Sequence, residues 1–252
     1  MFDSTASKYH KTFGIILLIL TLMISFTCLT SCVYDPPEGY TKKHHTYDEI
    51  LEFALSLDPN AEVSEIYTDT QIDEWNRCFR EWDAVINGIP CHVSSVGDMV
   101  WNTGICAGEF VKQYYVIDTD YDYLLLKKIV SEKQPEWKMA ASDIGARYSW
   151  HDILGVDTNY KEKRQLSVEE LENVWVEALE IYNEYNSYPV RKEASFHVLA
   201  PASYSQSNGE NRYLRYSICG FSDFSDGGKE SFFEDYTKAW DLLDSDLPII
   251  DE

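Results

Sequence analysis

The chain has 252 residues, with 43 acidic against 21 basic side chains and a formal charge of −22 at neutral pH. That balance excludes a broad nucleic-acid interface, which needs a basic footprint, and broad contact with anionic lipid. Charge of this size keeps a surface protein soluble. Aromatic residues make up 14% of the chain, enough with the aliphatic residues to fill a sizeable core. An ordered domain is therefore expected beyond any tether.

The N-terminus reads as a leader. Lys8, His10 and Lys11 form a basic start, and Phe13 to Leu29 is an apolar run. The run is short for a membrane span and carries Thr21, Ser25 and Thr27, as a signal-peptide core can. It ends in Leu29-Thr30-Ser31-Cys32, which resembles the lipobox of bacterial lipoproteins. The resemblance implies cleavage after residue 31, a diacylglycerol on Cys32, and a mature chain one charge more negative. It also implies attachment to the extracytoplasmic face of the cell membrane, since two acyl chains anchor stably where one is marginal. Cys28 is a poor acceptor, with bulky Phe26 before it. An uncleaved signal anchor and an ordinary secretory signal are the alternatives.

Residues 32–45 then read as a lipid-anchored tether. Pro36, Pro37 and Gly39 break regular structure, and His44 and His45 are expected to be a solvated linker end.

Residues 46–252 are expected to form a single α+β domain, antiparallel hairpins packed against helices, with a subdivision near 133–165. Thr46-Tyr47-Asp48-Glu49 is a capping box opening a short helix that ends before Asp58-Pro59. Glu62 to Thr68 reads as a strand. Asn87-Gly88 between apolar runs predicts a hairpin pairing Trp82–Ile86 with Ile89–Val96. Pro90 there suggests an edge or a bulge. Val100 to Gly108 reads as a loop, Phe110 to Asp118 as a strand and Tyr121 to Ser131 as a helix. Glu132 to Lys163 shows no clean period. Ser167-Val168-Glu169-Glu170 is a second capping box, opening the longest helix, to about Asn186. Ala194–Ala200 and Tyr213–Gly220 are strands, and Lys229–Leu243 a last helix.

A weak repeat is legible. Cys91-His92-Val93 and Phe196-His197-Val198 each begin a strand, and in both places an acidic turn and a helix follow. Two similar helix–hairpin–helix halves are the expectation from it.

Candidate sites are few. Asp118, Asp120 and Asp122 alternate, and hard carboxylate oxygens suit calcium. The pattern departs from an EF-hand loop, with Tyr123 where glycine is needed, and helix capping explains the acids equally. Asp223 to Gly228 occupies the matching place in the repeat. Trp101, Asn102 and Glu109, in a glycine-containing loop, are candidate ligand-binding residues. Cys78, Cys91, Cys106 and Cys219 allow three full pairings outside the cytoplasm, and spacing does not choose among them. No catalytic residue is assigned: the chain has no GxSxG elbow, HExxH helix or Walker loop. The reading is a membrane-anchored, non-catalytic binding module whose partner is a glycan or an envelope protein, with no cofactor required. An envelope hydrolase without a familiar motif, and a structural partner of another surface protein, are the alternatives.

Overall fold

The computed structural model describes residues 39–71, 78–102, 110–140, 153–158, 163–205, 212–244 and 246–250. The side chains of 71, 78, 98–102 and 110–113 fall outside that description. So do residues 1–38 with the expected leader and Cys32, Glu109, Cys106 and the side chains of Trp101, Asn102 and Cys78.

The protein is α+β, with two four-stranded sheets rich in antiparallel pairs. In chain order the elements are α1 (Tyr47–Leu57), β1 (Glu62–Gln71), β2 (Cys78–Ile86), β3 (Ile89–Asn102), β4 (Phe110–Thr119), α2 (Tyr121–Lys133), β5 (Lys138–Met139), β6 (Ile153–Asp157), α3 (Val168–Tyr185), β7 (Glu193–Ser205), β8 (Arg212–Phe221) and α4 (Asp226–Asp241). The first sheet runs β1-β2-β3-β4 and the second β5-β6-β7-β8. Among the described residues no helix is long and apolar enough to cross a membrane.

Two compact units divide the chain. The first comprises Met1–Thr46, Thr68–Glu81 and Ser95–Ile117; the second comprises Tyr47–Tyr67, Trp82–Ser94 and Asp118–Glu252. The expected division near 133–165 falls inside the second unit. The reason is β6, which is built into the second sheet between β5 and β7.

The first unit also holds the end of the segment expected to be a tether. Thr41 bridges to Tyr115 on β4, giving and receiving backbone hydrogen bonds of 2.8 and 2.9 Å. His45 is buried, so the expectation of a solvated linker end is corrected there.

The second unit starts from the predicted hairpin. Asn87 (φ 50°) and Gly88 (φ 71°) both take the left-handed conformation that a two-residue primed turn demands. Its backbone is tied down by Asn87 N–H donating to Asp58 at 2.7 Å. Pro90 comes before the level at which Thr119, the last residue of β4, bonds to His92, so no β4 donor is owed there.

The second sheet is mixed. β6 pairs in parallel with β7, joined through α3, while β5–β6 and β7–β8 are antiparallel. His197 on β7 sits between Gly220, its cross-strand partner on β8, and Gly155 of β6, two residues before its other partner Asp157. A Cβ at 155 would run into His197 Cε1, and one at 220 would lie 3.2 Å from its Cδ2. The two glycines make the slot in which the imidazole lies. Its Nδ1 is 3.2 Å from Asp157, and Thr158 donates its N–H and hydroxyl to the His197 carbonyl.

α3 opens with the predicted capping box: Ser167 Oγ accepts from Glu170 N–H, and Glu170 accepts from Ser167 N–H at 2.7 Å. Its apolar stripe buries Leu171, Val174, Trp175, Ala178 and Ile181. α4 packs on β7 and β8 and begins earlier than expected. Ser225 Oγ accepts from Gly228 N–H at 3.1 Å, so Gly227-Gly228 forms the first helical turn rather than a loop. The expected halves differ in build. Each histidine strand is followed by a strand and a helix, but β1 and β2 precede β3 in the first, and β5 and β6 precede α3 in the second.

Candidate functional site

The acidic turn and the strand beside it form the best-defined polar site, and all of it lies in the second unit. Asp120 occupies the N-cap position of α2, yet its side chain makes no cap bond. It turns to His92 on β3 instead. One carboxylate oxygen accepts the His92 backbone N–H at 2.6 Å, and the other lies 2.9 Å from Nδ1. Thr119 donates its hydroxyl to the His92 carbonyl at 2.7 Å. Asp120 is 5% exposed and Thr119 4%, so the bonds that orient the ring are shielded from water.

Asp120 thus fixes Nδ1, and the ring's second nitrogen is Nε2. It faces Asp83 of β2 at 3.4 Å, and the Asp83 side chain is 87% exposed. Both line a depression of about 470 Å³ across β1, β2 and β3. Glu62 and Ser64 add polar groups, and Val63, Val85 and Pro90 an apolar floor. The surface thus combines an oriented imidazole, two carboxylates and aliphatic carbon.

The other two acids go elsewhere. Asp118 accepts Thr119 N–H at 2.8 Å and lies 3.5 Å from the Lys192 ammonium. One Asp122 oxygen accepts the backbone N–H groups of Arg191 and Lys192, each at 3.1 Å. Burial pushes both carboxyls above the ordinary aspartate range, against the pull of Lys192 and of the N–H donors. Asp120 thus turns to His92, and Asp118 and Asp122 both turn to the Arg191–Lys192 segment. Among the described residues no group of His, Cys, Asp and Glu is arranged to hold a metal. Capping accounts for them no better, since Asp120 serves His92 and Asp122 serves the segment before β7.

Among the described residues thiol chemistry has no support. Cys91 and Cys219 are free. Burial pushes the Cys91 thiol up to about 12 and Cys219 to about 11, so neither supplies a thiolate near neutrality.

Of the residues singled out in the sequence, the structure brings Asp120 into the site, places Asp118 and Asp122 behind it, and carries Trp101 and Asn102 on β3. The sequence marks His92 only as part of a strand and does not single out Asp83. The His92–Asp120 partnership is invisible in the linear chain because the two are 28 residues apart. The Asn-Gly hairpin that brings β2 against β3 is the signal that could have joined His92 to Asp83.

An exposed and a half-buried tyrosine meet on another part of the second unit. Tyr204 and Tyr213, opposite one another on β7 and β8, stack at 6.0 Å with Arg215 over Tyr213.

These features define an α+β protein with an oriented histidine in an open polar depression. No family model, curated protein or solved structure matches the chain.

Proposed function

We propose that the protein is a lipid-anchored, extracytoplasmic binding module that takes a hydroxyl-rich ligand, an envelope glycan, in the His92 depression. The observation that carries this is the His92 ring, held by buried Asp120 through two bonds with Nε2 beside exposed Asp83. Sugar hydroxyls donate to the Asp83 and Glu62 carboxylates and pair with Nε2, while Pro90 and Val85 take the C–H face of the ring. Glycoside hydrolysis works through paired carboxylates rather than a hydroxyl nucleophile, so release of new reducing ends is what separates a hydrolase from a binding module here. The Ser64 hydroxyl is engaged with the backbone of Ile66, and Asp83 lies 3.4 Å from Nε2. The lipobox resemblance at residues 29–32 supports the anchor.

Calorimetric titration with cell-wall fragments and soluble glycans tests the site. His92→Ala is expected to weaken binding about tenfold, roughly one charge-assisted hydrogen bond, and Tyr213→Ala to leave it unchanged. Binding unaffected by His92→Ala, or no binding of any glycan, sinks the assignment. New reducing ends released from the glycan would replace it with a hydrolase. For the anchor, Cys32→Ser is expected to abolish incorporation of radiolabelled palmitate and to move the protein out of the membrane fraction. A variant that still takes up label and still sediments with membranes would refute acylation at Cys32.

A further inference from the structure

Three side chains at the entrance of the tether share one hydroxyl. Ser95 of β3 is fully buried. Its Oγ accepts the His45 backbone N–H at 2.9 Å, and lies 3.0 Å from His45 Nδ1 and 3.2 Å from His44 Nδ1. A hydroxyl has one proton to donate and two lone pairs to accept with. One lone pair is filled by the His45 backbone. One O–H and one lone pair remain for two imidazole nitrogens. One ring must therefore carry a bare Nδ1 and the other an Nδ1–H. That arrangement admits two neutral rings, or one neutral ring and one imidazolium. It does not admit two imidazolium ions, which would bring three N–H donors to an oxygen with room for two.

We infer that His44, His45 and Ser95 form a proton-sensitive clasp that fixes the tether's end to the first unit and opens when the second ring takes up a proton. The clasp is continuous with the Thr41–Tyr115 bridge, and the His44 ring lies 4.0 Å from that of Tyr115. The charged groups facing His44 are Asp69 of β1 and Arg80 of β2, themselves paired at 3.1 Å, and His45. Thr41 Oγ1 lies 3.5 Å from His45 Nε2. Burial holds His44 below its ordinary value of 6.5, with Arg80 acting in the same sense and Asp69 against it. The closed state then binds fewer protons than the open one, so closure weakens as pH falls. In a mildly acid medium the domain gains freedom on its leash. That consequence rests on the anchor proposed above, whereas the clasp itself does not.

Hydrogen exchange of the full chain in detergent micelles, from pH 7.5 to 5.0 and corrected for the intrinsic chemical rate, tests it. Protection of the His45 amide is expected to fall about tenfold or more across that range, the loss of one buried hydrogen bond, while amides of α3 hold. His44→Gln leaves a single imidazole that Ser95 satisfies in either charge state, so its protection is expected to stay flat. Wild-type protection that does not change overturns the clasp. So does a pH response that His44→Gln retains in full, or a loss shared equally by α3. None of these readings depends on acylation of Cys32, so failure of the anchor leaves the result intact.

Discussion

Replacing Trp175 by alanine is expected to cost about 3–5 kcal/mol, enough to consume a large part of the roughly 5–15 kcal/mol that holds a domain together. Trp175 is 4% exposed at the centre of α3. It stacks on Phe221 of β8 at 5.1 Å with 21° between the rings, and meets Phe224 at 5.0 Å and Phe232 of α4 at 6.1 Å. One indole therefore links α3, the last strand and the last helix. Its removal forfeits the transfer free energy, leaves a cavity, and breaks aromatic pairs worth about 0.5–1.5 kcal/mol each beyond their area. Val176, next in sequence but 50% exposed, is the control. Its alanine variant is expected within about 0.5 kcal/mol of wild type. Urea unfolding followed by circular dichroism reads both. A Trp175→Ala loss below about 1 kcal/mol would mean that this cluster is not the core of the second unit.

That cluster shows which parts of the fold are legible in sequence. α3 announces itself because Leu171, Val174, Trp175, Ala178 and Ile181 repeat at helical spacing behind a capping box, and capping is local chemistry. The Asn87–Gly88 turn is equally local, since only a few residues take positive φ there without strain. β6 is the counterexample. It is five residues long, and its buried Leu154 and Val156 alternate with an apolar but exposed Ile153 and a glycine, so its alternation of burial is blurred in the sequence. Its glycine becomes intelligible only beside His197, 42 positions on in the chain. The site behaves in the same way. The acids of the turn are conspicuous by composition, but their destinations are not: Asp120 to a strand before it, Asp118 and Asp122 to a segment some 70 residues after it. Residues 41–45 depart from a linker reading for this reason too. Thr41 is stabilised by a partner 74 residues away, and polar, basic residues around it read as linker until that partner is in place.

Asp122 connects the start of α2 to the approach of β7, and its loss is the second large effect expected. The residue is 1% exposed, and Lys192, whose N–H it accepts, is 9% exposed. Asp122→Ala leaves the Arg191 and Lys192 amides without an acceptor and removes a carboxylate from beside the buried ammonium. Each unsatisfied buried donor costs about 1–3 kcal/mol, so a total near 2–5 kcal/mol is expected for the two amides, while the Lys192 ammonium keeps Asp118. Asp122→Asn keeps an acceptor oxygen of the same shape and is expected to lose less. The pair also differs in its response to pH. Burial raises the folded Asp122 carboxyl above its ordinary 3.8, so the native state takes up this proton before the unfolded chain does. Between that raised value and 3.8 the group contributes stability that grows as pH falls and is lost as pH rises. Asparagine has no such proton. Wild type is therefore expected to gain on Asp122→Asn as pH is lowered from 7 towards 4, read as the difference between their urea midpoints. Asp118 is raised for the same reason and stays in both proteins, so its contribution cancels in that difference. Parallel pH profiles would mean that Asp122 titrates as it does in the unfolded chain, and that water reaches a carboxylate which the packing of α2 shuts away.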